Sequence, residues 1–227
     1  MSQRINCFIP YGDETQTKET ILNLKKDALV GKIYLLNAGE KGRCALEGCE
    51  VVDVPSLKNT EAMKKIAERA DADFTLLYTK ESKLEWVHFA LERMVNIAED
   101  SGAEMIYADH FNVIDGVRSF APVIDYQMGS LRDDFDFGSV LLYRTSAFKE
   151  AVSRMNINYQ FAALYDLRLK VSQKGVLEHM NEYLYYEVEM DTRKSGEKLF
   201  DYVDPKNRAV QIEMEQACTE HLKEIGG

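Results

Sequence analysis

Apolar and polar positions fall into two repeating rhythms in the first half of the chain. One is a short apolar run closed by turn residues; the other is a stripe at helical spacing. Ile5 to Pro10, INCFIP, reads as a strand halted by Pro10 and the turn-forming Tyr11-Gly12-Asp13. Ile21, Leu22, Leu24, Ala28 and Leu29 then mark one face of a helix over roughly Thr17 to Leu29, closed by Gly31. Lys32 to Asn37 and Cys49 to Val54 read as two more strands. Asn59 or Thr60 caps a helix whose stripe is Met63, Ile66, Ala67 and Ala70. Phe74 to Tyr78 is a fourth strand. Ser82 and Glu85 have the spacing of a capping box, which predicts a long helix from there to about Asp100. Ala103 to Ala108 is a fifth strand.

The second half is less regular. A strand lies within Phe135 to Arg144, and Thr145 or Ser146 begins a helix. Another helix covers about Ala162 to Gln173, before Gly175. Tyr183 to Met190 is a strand and the next eight residues, DTRKSGEK, are a polar loop. Asp204-Pro205 opens a last helix, with Val210, Met214, Ala217 and Leu222 as a narrow apolar seam. That seam would pack on the body, on a second subunit or on a further domain. Strand and helix alternating with short connections predict an α/β fold: a doubly wound, mostly parallel sheet with helices on both faces.

Composition narrows the function classes. The 227 residues are 45% hydrophobic and 29% charged, as in ordinary soluble domains. A formal net charge of -10 argues against nonspecific nucleic-acid binding, which needs a basic face. No segment approaches the roughly 18 apolar residues of a membrane span, and the start of the chain has no signal-like apolar run. A cytoplasmic protein is expected, with peripheral membrane association left open. Cys7, Cys44, Cys49 and Cys218 are too scattered for a disulfide framework and lack the partners of a zinc site. They read as reduced thiols.

Ligands of open α/β sheets bind beyond the C-terminal ends of the strands. Four such ends carry polar groups: Tyr11-Gly12-Asp13, Asn37, Thr79-Lys80-Glu81 and Asp109-His110. Each alone is what a loop in water looks like; their shared edge points to a site. The P-loop, the dinucleotide fingerprint, the nucleophile elbow and the H-E-x-x-H zinc motif are all absent.

The series of segments resembles family 2 glycosyltransferases of the GT-A fold. INCFIPYGDE resembles their first strand and loop, and KIYLLNAGE their second strand. ADADFTLLYTKESKLEW resembles the segment with the D-x-D motif, GAEMIYADHF the next strand, and YDLRLKVSQKG the later helix. EYLYYEVEMDTRKSG resembles the final strand and phosphate-facing loop. The likeness runs from about Ile5 to Gly196. It divides the chain into a GT-A-like domain over residues 1–203 and a C-terminal helix over 204–227, which could link to a further domain or a second copy.

That resemblance implies a nucleotide-diphosphate sugar as donor and a glycan or other hydroxyl acceptor. It also implies Mg²⁺ or Mn²⁺ on the diphosphate. Pro10, Tyr11, Asp13 and Asn37 then fall by the nucleoside, and Thr79 and Glu81 on the two metal acids. Arg193 and Lys194 fall in the phosphate-facing loop. The Glu-Asp pair supplying the base falls on Ala163 and Leu164, which take no proton. Asp166 is the nearest acid, about 200° round the helix from Leu164. Asp133, Asp134 and Asp136 are an alternative acidic run. Two functions follow: a glycosyltransferase with an altered metal and base arrangement, or a catalytically impaired GT-A-like domain that binds or scaffolds. A sugar nucleotidyltransferase fits less well, because PYGDETQTKE lacks its Gly-rich basic loop.

Overall fold

The computed structural model describes residues 3–38, 46–189 and 207–227. Strands are β1 (Ile5–Pro10), β2 (Val30–Ala38), β3 (Glu50–Val54), β4 (Phe74–Tyr78), β5 (Lys83–Trp86), β6 (Met105–Ile114), β7 (Val117–Ala121), β8 (Val140–Arg144) and β9 (Leu177–Glu189). Helices are α1 (Glu14–Leu24), α2 (Thr60–Arg69), α3 (Ala90–Ser101), α4 (Thr145–Ser153), α5 (Ala163–Ser172) and α6 (Asn207–Ile225). The strands form one nine-stranded sheet in the order β3-β2-β1-β4-β8-β6-β9-β5, with β7 paired to β6. β1 to β4 are mutually parallel, β8 runs against both β4 and β6, and β9 is parallel to β6. With β5 and β7 antiparallel to their neighbours, six of the nine strands share one direction.

Strand alternation sorts side chains onto two faces. Ile5, Cys7 and Ile9 of β1 and Phe74, Leu76 and Tyr78 of β4 pack with α1 and α3. Phe8, Leu77, Leu141 and Tyr143 pack on the other side with α2, α4 and α5. Both faces of the central strands are therefore apolar, which is why the sequence shows them as continuous hydrophobic runs.

The capping box is a correction. The Ser82 and Tyr78 hydroxyls hydrogen-bond each other at 2.8 Å, and Lys83–Trp86 pairs with β9 as a strand. Leu84 and Trp86 are apolar at the two-residue period, and Leu84 is fully buried. The helix begins only at Ala90, after Phe89 in the left-handed region at φ 58°. The hairpin β6–β7 was not anticipated. Its signal is Asp115-Gly116, both at positive φ, between two strand-like runs.

Helix α6 packs on α5, so its seam faces the body: Ala217 is buried with Tyr159, Ala162, Tyr165 and Leu169. Asp204-Pro205 lies outside the described residues. α5 starts without a side-chain cap of its own. Glu213 of α6 fills that role, accepting the backbone N–H groups of Gln160, Phe161 and Ala162 at 3.0, 2.7 and 3.2 Å. A carboxylate at a helix N-terminus answers both the orphan donors and the dipole. Cys7 and Cys218 are free thiols, and Cys44 lies outside the described residues. Among the described residues no helix is long and apolar enough to cross a membrane. Glu213→Ala should cost about 1–2 kcal/mol in chemical unfolding, by loss of this charged cap. Unchanged stability would show that α6 does not hold α5.

Candidate functional site at the strand ends

The C-terminal ends of β1, β2 and β4 lie side by side in the sheet, so their loops form one edge. Tyr11 N–H donates to Leu36 O at 2.9 Å, tying the loop after β1 to the end of β2. Asp13 caps α1, its Oδ1 accepting from Gln16 N at 3.0 Å. Gly12 sits directly against Glu81: a Cβ at Gly12 would lie 2.7 Å from Glu81 Cβ and 2.9 Å from Glu81 O. The absence of a side chain at Gly12 is what lets the β1 and β4 loops touch.

Asn37 ends β2 opposite Asp53 of β3. Its Nδ2 donates to Asp53 Oδ1 at 2.8 Å, which orients the amide. Its Oδ1 is buried with no hydrogen-bond partner among the described residues. A buried orphan acceptor is costly, and ligand sites are where such groups are kept.

Thr79 spends its hydroxyl on Ser139 O at 3.3 Å, and its N–H bonds the same carbonyl at 2.9 Å. Lys80 reaches across to Glu187 of β9, forming an ion pair with a carboxylate that is 1% exposed. Ser139 donates its hydroxyl to the same carboxylate, and His110 Nε2 lies 3.4 Å from Glu187 Oε1. Burial lowers the pKa of His110 below the ordinary histidine value, against the pull of Glu187, which raises it. The imidazole is therefore neutral near pH 7, and Lys80 is the cation that compensates Glu187. Tyr185 stacks on His110 and its hydroxyl accepts Ser139 N–H at 2.9 Å. Gly138, at φ +72°, leaves room for that hydroxyl. Glu187 and His110 thus belong to this edge. Their signal in the sequence was an acid and an imidazole inside apolar strands.

A cavity of about 460 Å³ opens beside Thr79 and Lys80. Asp133 and Asp136 line it, with Phe135, Phe161, Tyr165 and Met214 as apolar wall. Asp136 is positioned by Gly138 N–H, which donates to its Oδ1 at 2.8 Å. A roomier cavity of about 690 Å³ lies at the opposite edge of the sheet, by Arg4, Leu29, Trp86 and Phe89, away from these residues.

Asp166 is not on this edge, which corrects its assignment as the base. It is 3% exposed and pairs with Lys170, one helical turn on, at 3.2 Å; Lys170 in turn bonds Glu224 of α6 at 2.9 Å. Burial raises its pKa, partly offset by Lys170. Its carboxylate belongs to the α5–α6 contact. Arg193 and Lys194 lie outside the described residues. Asp109, read as a strand end, is inside β6, buried, and holds Val123 N–H at 2.8 Å and His179 Nε2 at 3.0 Å.

The residues do not fit the divalent cation that the resemblance implies. Thr79 is neutral and already bonded, Glu81 is one acid, and Lys80 places an ammonium between them in sequence. Among the described residues no group of three or more His, Cys, Asp or Glu is placed to hold a metal ion. Hard cations want several anionic oxygens together. Gly12→Ala should destabilise the chain by about 1–3 kcal/mol through overpacking against Glu81, whose carbonyl cannot swing aside. Wild-type unfolding in that variant would show that the two loops are not in contact.

No protein-family model matches this chain and no curated protein matches it. Solved structures do. One is S. aureus TarS 1-349, at 11% identity and a TM-score of 0.56, covering 82% of this chain and 60% of that one. Another is S. aureus TarS 1-349 in complex with UDP-GlcNAc, at 11% identity and a TM-score of 0.60, covering 96% of this chain and 71% of that one. The chain therefore spans only part of the length of the structures it matches. At this identity the likeness is one of fold: the chain has a GT-A-like α/β fold, the class its strand and helix pattern predicted.

Proposed function

We propose that this chain is a family 2-like glycosyltransferase that binds a nucleotide-diphosphate sugar along the ends of β1, β2 and β4. In this reading it passes the sugar to a hydroxyl acceptor in the adjoining cavity. The observation that carries the reading is Asn37 Oδ1, buried at the strand edge with no partner among the described residues. It is an acceptor for a base N–H, whether the ring N–H of uracil or guanine or the exocyclic amine of cytosine or adenine. Pro10 and Tyr11 would flank the base, and Asp13, an α1 cap, would shape the loop. A structure of the same fold holding UDP-GlcNAc supports a nucleotide sugar as the ligand class.

The acceptor side needs a base. Asp136 suits this role: it lines the cavity beside Thr79 and Lys80, and Gly138 fixes its carboxylate. It would take the acceptor proton as the hydroxyl attacks the anomeric carbon, and the nucleoside diphosphate leaves with the bonding electrons. The aromatic and apolar wall suits the C–H face of a sugar ring or another apolar acceptor surface.

Titration calorimetry with UDP, GDP, CDP and ADP should show binding of at least one of the four. Asn37→Ala should weaken it about tenfold, the worth of a buried hydrogen bond to a ligand. No binding of any of the four, or an unaffected Asn37→Ala, would contradict the base-side assignment. Asp136→Asn should keep nucleotide affinity and slow release of UDP from a UDP-sugar by about 10²-fold or more. Binding without any turnover, in wild type and variant alike, would instead mark a binding domain.

A further inference from the structure

The poor fit of a metal and the placement of Lys80 have one explanation. Lys80 follows Thr79 at the end of β4, in the middle of the segment where the resemblance puts the metal acids. Its side chain is 46% exposed while its partner Glu187 is buried. An ammonium has three donors. One is taken by Glu187, and Lys80 together with Thr79 borders the 460 Å³ cavity.

A carboxylate buried as deeply as that of Glu187 is costly without a cation against it, and Lys80 is the cation that faces it. Lys80 is thus pinned from behind by β9, with Ser139 holding the other carboxylate oxygen. A divalent ion at the end of β4 would meet this ammonium at close range, and like charges there repel strongly. An ammonium with hydrogen-bond donors, one positive charge shared with Glu187, already stands where a metal would be.

We infer that Lys80, fixed by Glu187, holds a diphosphate oxygen of the donor in place of a divalent cation, so that donor binding is metal-independent. This rests on the donor-site reading above. Lys80 is a charge partner for the leaving group, and Glu187 and Ser139 are positioning residues behind it.

The test is calorimetric titration of the full chain with UDP in EDTA and again in Mn²⁺. The expected result is the same affinity in both. Lys80→Gln, which can still hydrogen-bond Glu187, should weaken UDP binding about tenfold or more under either condition. The double variant Lys80→Met with Glu187→Gln removes both charges together, so no buried carboxylate is stranded. It should fold, by circular dichroism, and show the same loss. Binding that disappears in EDTA would overturn the inference and leave the donor site standing. Full affinity in a folded Lys80→Gln would also overturn it. No UDP binding by wild type in either buffer would overturn the donor-site reading itself, and this inference with it.

Discussion

The burial of Glu187 is the constraint on which the functional edge depends. A carboxylate at that depth must be compensated, and three groups from three other strands or their ends converge to do so. Lys80 comes from the end of β4, Ser139 from the start of β8 and His110 from β6. That convergence sets the height at which β4 stops and fixes Thr79 against Ser139. It also decides which sign of charge the edge presents. With the imidazole neutral, the lysine is the group that faces outward.

From that knot the rest of the site follows by packing. Glu81, next in the chain after Lys80, is pressed on Gly12, so the loop after β1 is carried to the loop after β4. Tyr11 then reaches Leu36, and the end of β2 brings Asn37 alongside. Asp136 and Gly138 lead into β8 and so stand on the cavity side of the same knot. The proposed nucleoside side and the proposed acceptor side are thus positioned from one buried charge.

Much of the fold was legible in the sequence, because strands buried on both faces appear as apolar runs and helices as stripes. The positions of Asn37, Thr79 and Glu81 at strand ends were legible for the same reason. What failed was local ambiguity and long-range chemistry. Ser82 and Glu85 satisfy a capping rule, yet Leu84 and Trp86 fit a strand and tertiary pairing with β9 decides. Asp115-Gly116 was a hairpin signal passed over. The Lys80–Glu187 pair spans 107 positions, so nothing in the spacing could announce it. Asp166 misled because an acid at a helix start can be a base or a partner; Lys170 four residues on, and Glu224 from α6, make it the latter.

A GT-A-like sheet usually invites the assumption that two acids and a cation hold the donor. Here the acids are reduced to one and an ammonium stands in their midst. The most direct measurement is a crystal structure of the chain with UDP and Mn²⁺ together. The account predicts the base against Asn37, a diphosphate oxygen on Lys80 Nζ, and no cation bridging Glu81 to the phosphates. Mn²⁺ ligated by Glu81 and both phosphates, with Lys80 turned away, would contradict it.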